Sequence, residues 1–435
     1  MTERHPAPLE PSRRDLLRTT SIAAVAAGTS APLASANASA DPRPFTGPLR
    51  VGLIGCGGRG TGAAANALRA DPDTHLVALG DTFGDHLSNC LGTLSKEADI
   101  AERVKVDEDK RFVGFDAYQG VIEHCDVVLL ATSPHFRPMH VAAAVEAGKH
   151  LFVEKPIATD APGVRAMRES CRRAEEKNLS IVSGLCYRYQ RAKRETVARI
   201  HDGAIGDIVC MQTTYNTGGL WHRGRKEDWS EMEYQMRNWL YFAWLSGDHI
   251  AEQHIHSLDK IAWAMGDVYP TKCTSSGGRS VRSDAKYGNI YDHFNNVYEW
   301  ENGVRCFSSC RQWSGAASDV SDYVYGTRGS ANIQRHRIDA GPWNWRWKGD
   351  GPDDMYQNEH DALFAAIRSG EPINNGEYMC SSTMMAIMGR MSAYTGQTIT
   401  WDQAWNSSED LSPPAYEWGD LEMRPIAQPG ITRFS

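Results

Sequence analysis

Between residues 49 and 186 the apolar positions gather in short runs: 49–54 (LRVGLI), 75–80 (HLVALG), 126–132 (DVVLLAT), 150–153 (HLFV) and 180–186 (SIVSGLC). Nearly continuous apolar runs suit strands buried on both faces of a parallel sheet. The stretches 61–70, 136–148 and 161–178 read as helices. Strand and helix alternate throughout, which predicts a doubly wound parallel sheet. From Ile208 onward the pattern changes. Segments 208–215, 296–301 and 304–310 alternate in period two and are rich in Val, Tyr, Thr and Trp. That period predicts a half-exposed, mainly antiparallel sheet. An amphipathic helix at 190–203 bridges the two patterns. The domains expected are therefore 47–186 and 187–401, followed by a polar, proline-bearing arm at 402–435 that reaches for a neighbouring subunit.

The turn after the first run carries the first chemistry. Gly55, Gly57 and Gly60 stand at G-x-G-x-x-G spacing between a strand and an alanine-rich helix. The first glycine permits a tight turn, the second lets backbone approach a pyrophosphate, and the third lets helix and strand pack closely. Phosphates then sit at the helix N-terminus, where free N–H groups and the dipole favour negative charge. Asp81 ends the second run, 21 residues after Gly60. A carboxylate there can accept from both ribose hydroxyls and repels a 2′-phosphate, so the expected cofactor is NAD rather than NADP. The first domain is thus expected to be a Rossmann domain. Its cofactor contacts are Gly55, Gly57, Gly58, Arg59, Gly60 and Asp81. Thr132, Ser133, Pro134, His135, Glu154 and Lys155 join them at the carboxyl ends of later strands.

At Glu154-Lys155-Pro156, about a hundred residues after the glycines, the chain resembles the Gfo/Idh/MocA oxidoreductases, which include glucose–fructose oxidoreductase and inositol dehydrogenase. The resemblance also draws on the strand ending Ala131-Thr132-Ser133-Pro134 and extends to about residue 400. It implies that Lys155 lies between nicotinamide and substrate. A lysine so placed can donate to the hydroxyl being oxidised and stabilise developing oxyanion charge. The resemblance further implies a second α/β domain with one large open sheet whose free face often makes the oligomer contact, so a homodimer or homotetramer is expected. It also implies that the segment around 358–370 returns toward the first domain.

A second motif of that family begins with glycine, then has an acid, a histidine four residues on and an aspartate three further. Gly247, Glu252, His256 and Asp259 occupy those places, with Glu for the commoner Asp and His254 where glycine is usual. Read as one helix over 245–267, Glu252 and His256 share a face, with Asp259 one turn further on. His256 is then the expected general base and Glu252 its orienter or a hydroxyl ligand, since an imidazole near neutrality both takes and returns a proton. A metal is not expected: on a regular helix, positions 254 and 256 diverge by about 200°. Candidate sugar contacts are Tyr187 and Arg188 after the last strand of the first domain, Trp221, His222 and Arg223 on a loop, and His254. The tryptophans of 342–347 (PWNWRW) serve equally as packing, a subunit contact or a ligand platform.

Net charge is −8 and no long basic run occurs, so nucleic acid and anionic membrane surfaces are poor partners. The ten cysteines form no C-x-x-C and read as free buried thiols. Ser12-Arg13-Arg14-Asp15-Leu16-Leu17-Arg18, an apolar run at 22–36 and Ala-Ser-Ala triplets resemble a Tat export signal over residues 1–40. The Tat machinery is thus an expected partner and a periplasmic or secreted location is expected, with no stable membrane anchor. Outside the cytoplasm no NAD pool exchanges with the enzyme, so NAD should be tightly bound and its redox state restored within each cycle. The expected function is oxidation of a sugar, glycoside or cyclitol hydroxyl, with redox-assisted glycoside hydrolysis as the alternative. A non-catalytic NAD- or sugar-binding protein is a third reading.

Overall fold

The computed structural model describes residues 44–349 and 351–435; the expected export signal at 1–40 lies outside them. Six strands form the first sheet: β1 (Leu49–Ile54), β2 (Thr74–Asp81), β3 (Arg111–Val113), β4 (Val127–Leu130), β5 (His150–Val153) and β6 (Ile181–Ser183). All pair in parallel in the order β3-β2-β1-β4-β5-β6. β4 is buried throughout and β5 everywhere but at His150, as continuous apolar runs require. The order reverses between β1 and β4, which opens a crevice at their carboxyl ends. The run at 180–186 is strand only as far as Ser183. A Cβ on Gly184 would lie 2.8 Å from the Glu154 carboxylate, too close for a side chain, and a 3₁₀ turn follows at Cys186–Tyr189.

Nine strands form the second sheet: β7 (Ile208–Thr217), β8 (Lys272–Gly278), β9 (His293–Glu299), β10 (Arg305–Gln312), β11 (Asp319–Gly326), β12 (Ser330–Asn332), β13 (Arg337–Ala340), β14 (Trp343–Arg346) and β15 (Ile399–Thr400). Their order is β14-β13-β12-β11-β7-β10-β9-β8-β15, antiparallel except for the parallel pair β7 and β10. Alternation is clean on β10, where Cys306, Ser308, Cys310 and Gln312 point inward and Arg305 and Phe307 outward. The helices Ile255–Ala264 and Gly376–Thr395 cover the inner face, the latter buried almost all round. The fold is therefore α/β, a Rossmann-like parallel sheet joined to a mixed, mostly antiparallel one. β14 is the edge strand, with Trp343 exposed and Trp345 under Arg199, whose guanidinium lies 4.4 Å from the ring.

The C-terminal segment begins with a helix, Trp401–Asn406, and then packs against its own chain. Gly419 O accepts from Met232 N at 3.1 Å, Ala427 O from Tyr291 Oη at 2.9 Å, and Gly430 N donates to Thr395 O at 2.9 Å. Backbone groups without a strand partner are satisfied in this way.

Candidate active site

Two glycines of the turn, Gly55 and Gly60, are required by contact. Gly55 has φ +97°, and a Cβ there would lie 2.6 Å from the Ala131 carbonyl carbon. A Cβ on Gly60 would lie 1.8 Å from Gly55 O. Gly57 differs: its φ is −71°, and a Cβ there would meet no atom within 4 Å. Nothing in the protein demands glycine at 57, so the open space beside it suits a ligand that approaches the backbone. Gly58 starts the helix Gly58–Ala70, whose first N–H groups face that space without a side-chain cap. Asp81 closes the adjacent end of the crevice. Its oxygens accept from Cys56 N at 2.6 Å and Phe83 N at 2.9 Å, which fixes the carboxylate and leaves lone pairs free. Gly55, Gly57, Asp81, Thr132 and Ser133 line one cleft. The donor set and the glycine cradle fit an adenine dinucleotide.

Arg59 and Glu154, both expected at the cofactor, face each other. Arg59 Nε is paired with Glu154, and its Nη2 donates to Glu359 Oε1 at 2.9 Å. Burial and the neighbouring Glu154 push the Glu359 carboxyl well above its usual range. Pro134 is buried at the start of a 3₁₀ turn, and His135 Nε2 is 2.8 Å from Tyr416 Oη of the C-terminal segment.

Lys155 follows β5. Its Nζ donates to Glu252 Oε1 at 3.0 Å and to Glu252 O at 2.6 Å, with both side chains mostly buried. Beneath them the Arg137 guanidinium, on the helix Arg137–Glu146, donates to Thr132 O at 2.5 Å and to Pro156 O. One buried planar group thus ties the loops after β4 and β5 together. Burial brings its pKa down to about 10.

The segment expected as one helix over 245–267 is broken. Gly247 and Asp248 both take positive φ, 74° and 70°, and short helices at Ala243–Ser246 and His249–Glu252 precede Ile255–Ala264. Asp248 holds the turn, accepting from His249 N at 2.6 Å, Tyr291 N at 2.8 Å and Tyr394 Oη at 2.6 Å. Glu252 and His256 therefore do not share a helical face. Glu252 reaches Lys155 from the end of one helix, while His256 sits near the start of the next, its ring edge-on to Tyr187 at 5.2 Å. Burial, then Lys155, Lys260, Arg59 and Lys193, hold the His256 pKa well below 6.5. It is a neutral imidazole, not one poised near neutrality.

Two of the expected sugar contacts are buried and partnered within the protein. Arg188 forms ion pairs with Asp259 at 2.8 Å and Asp267 at 2.6 Å. His254 is fully buried, with Nε2 2.6 Å from Ser308 Oγ, and so anchors the broken helix to β10. Trp221 is exposed under Arg223, 5.2 Å away, and His222 Nε2 lies 3.1 Å from Tyr234 Oη, its ring also against Tyr241 and Tyr287. Tyr187 has Lys193 Nζ and Lys260 Nζ each 4.4 Å from its ring. Lys193 is buried, and burial with the charge of Lys260 lowers its pKa to about 7. Sequence reasoning missed Arg137, Lys193 and Lys260, which occupy polar positions of ordinary helices. No spacing distinguishes them from solvated charges.

Comparison with known proteins agrees with this geometry. The family described as "Oxidoreductase family, NAD-binding Rossmann fold" matches residues 49–183, and "GFO/IDH/MocA C-terminal domain" matches 194–332. The chain is 27% identical over 210 residues to 2,7-anhydro-N-acetylneuraminate hydratase of Escherichia coli, covering 48% of this chain and 51% of that protein. It is 22% identical over 335 residues to inositol 2-dehydrogenase of Rhizobium meliloti, covering 75% and 90%. Against several such curated relatives the chain spans about half their length. Among solved structures, scyllo-inositol dehydrogenase of Lactobacillus casei with bound NAD(H) and scyllo-inositol superposes with a TM-score of 0.62 at 17% identity. That match covers 82% of this chain and 99% of that one. With both halves matched in sequence and the parallel sheet, glycine cradle and lysine-bearing loop in place, the chain belongs to the Gfo/Idh/MocA oxidoreductases.

Proposed function

We propose that this protein oxidises a hydroxyl of a sugar, glycoside or cyclitol, using tightly held NAD whose redox state is restored within each turnover. The observation that carries the reading is Lys155, which follows β5 at the carboxyl end of the parallel sheet, is held by Glu252 and lies close enough to the neutral imidazole of His256 to lower its pKa. NAD supplies the hydride acceptor. The Lys155 ammonium donates to the substrate oxygen and offsets the charge that develops there. The His256 imidazole takes the hydroxyl proton, and the same cations that keep it neutral make it release that proton readily. Glu252 positions the ammonium. Tight retention is supported by Met236 and Trp239, which line the cleft from the second domain, and by the Arg237–Asp85 ion pair at 3.2 Å.

A second reading is redox-assisted glycoside cleavage: oxidation, elimination of the aglycone, hydration and reduction. The resemblance to a hydratase of an anhydro sugar favours it. Export by the Tat route to the periplasm or exterior is supported by the sequence Ser12–Arg18, and a dimer or tetramer by Phe307 and Tyr325, exposed on β10 and β11 of the open sheet. Mass spectrometry and near-ultraviolet absorbance of purified protein test NAD retention. A panel of polyols and aryl glycosides, followed for keto product and released aglycone, separates the two chemistries. Protein without NAD that oxidises nothing on the panel would end the reading.

A further inference from the structure

We propose that Gln253 is a substrate-binding residue that can only donate, its polarity fixed from inside the protein by Arg282 through Gln312. Arg282 is 3% exposed. Its Nη1 donates to Tyr291 O at 2.6 Å and its Nη2 to Gln312 Oε1. A guanidinium has donors and no acceptor, so the carbonyl end of the Gln312 amide must face it. The amino end then points the other way, and Gln312 Nε2 donates to Gln253 Oε1 at 2.6 Å. That bond commits the Gln253 carbonyl in turn. Its two N–H donors remain, on a half-buried side chain in the break between Glu252, which grips Lys155, and His256.

Neither glutamine can flip without setting two acceptors or two donors against each other, at a cost of about 1–3 kcal/mol for a buried group left unpaired. The chain of amides therefore reads in one direction. The substrate group that meets Gln253 must be an oxygen acting as acceptor: a hydroxyl through its lone pair, a carbonyl or a carboxylate. Such a contact favours the polyol whose oxygen beside the reacting carbon is presented to Gln253 and rejects its deoxy analogue, which leaves the donor unpaired. The inference deepens the polyol oxidoreductase reading and rests on it.

Arg282 is buried and its replacement threatens folding, so the test uses the half-buried Gln253. In the NAD-loaded protein with myo-inositol or D-glucose as probe, Gln253→Glu replaces donor by acceptor. KM should rise about tenfold or more while kcat stays within about threefold. The penalty should shrink as pH falls, because a protonated acid donates again. Gln253→Met should raise KM about tenfold at every pH. KM unchanged in both variants would overturn the inference. A neutron structure of the native holoprotein provides an arm independent of turnover. Deuterons on Gln253 Nε2 facing the cleft support the assignment, and Oε1 facing the cleft overturns it. If none of the probes is oxidised, the polyol reading falls while the neutron result still decides the orientation of Gln253.

Discussion

The turn Gly55–Gly60 and the break from Gly247 to His256 are built in opposite ways. In the first, backbone shape is the function. Gly55 and Gly60 are required by atoms of the same turn and of β4, so six consecutive residues nearly determine the site. In the second, side chains carry the function, and their arrangement is set by partners far along the chain: Asp248 by Tyr291 and Tyr394, His254 by Ser308, Gln253 by Gln312. A local backbone site announces itself through glycine spacing. A side-chain site announces only which residues are present.

The largest effect expected falls on the second region. Lys155→Met should lower kcat/KM by about 10³-fold while the protein keeps its NAD, because an oxyanion donor is lost and the cradle is untouched. Steady-state kinetics alongside cofactor content decides it. NAD lost together with activity would mean that the two regions are not separable. Arg188→Met should cost about 3–5 kcal/mol of stability by stranding Asp259, with KM in the folded fraction unchanged. Denaturant titration and kinetics together check this, and a large KM change would return Arg188 to the substrate.

On the backbone side, Gly60→Ala should cost about 3 kcal/mol and lose NAD, since the new Cβ meets Gly55 O. Acid should weaken the whole molecule. His140, His254 and His360 are buried and held neutral, the first two with pKa near about 3. The unfolded chain protonates them below 6.5 and the native protein does not, so stability falls as pH drops from 7 to 5.5, by about 4 kcal/mol for the three. Chemical denaturation across that range reads the slope. The smallest change in fold belongs to Gly57→Ala. Melting temperature should stay within about 2 °C while NAD affinity falls about tenfold or more, because the Cβ intrudes only on the ligand's space. Unchanged affinity would show that the open space at Gly57 is not used.

The parallel sheet was legible because β4 and β5 are bare apolar runs and because alternation with helices admits few topologies. Lys155 stood out only through the resemblance of Glu154-Lys155-Pro156 to the family's motif; by position alone it reads as a surface lysine. What sequence could not supply was contact. Nothing in a period of 3.6 says that Asp248 takes positive φ and ends the helix, or that Arg188 folds inward onto Asp259 rather than outward to a sugar. The same limit hid Arg137: a cation in the first turn of a helix looks solvated until two carbonyls are seen to close over it.

On the proposed reading, His256 takes a proton from a polyol whose oxygen is held by the Lys155 ammonium, and the hydride leaves to NAD bound on the glycine turn. Rapid mixing of NAD-loaded protein with a polyol or glycoside it turns over, followed by near-ultraviolet absorbance, tests it most directly. Native protein should develop the reduced-nicotinamide band in one turnover, and Lys155→Met, with the same NAD content, should develop it about 10³-fold more slowly. Equal rates in the two proteins, or product formed with no reduced band at any time, would contradict the account.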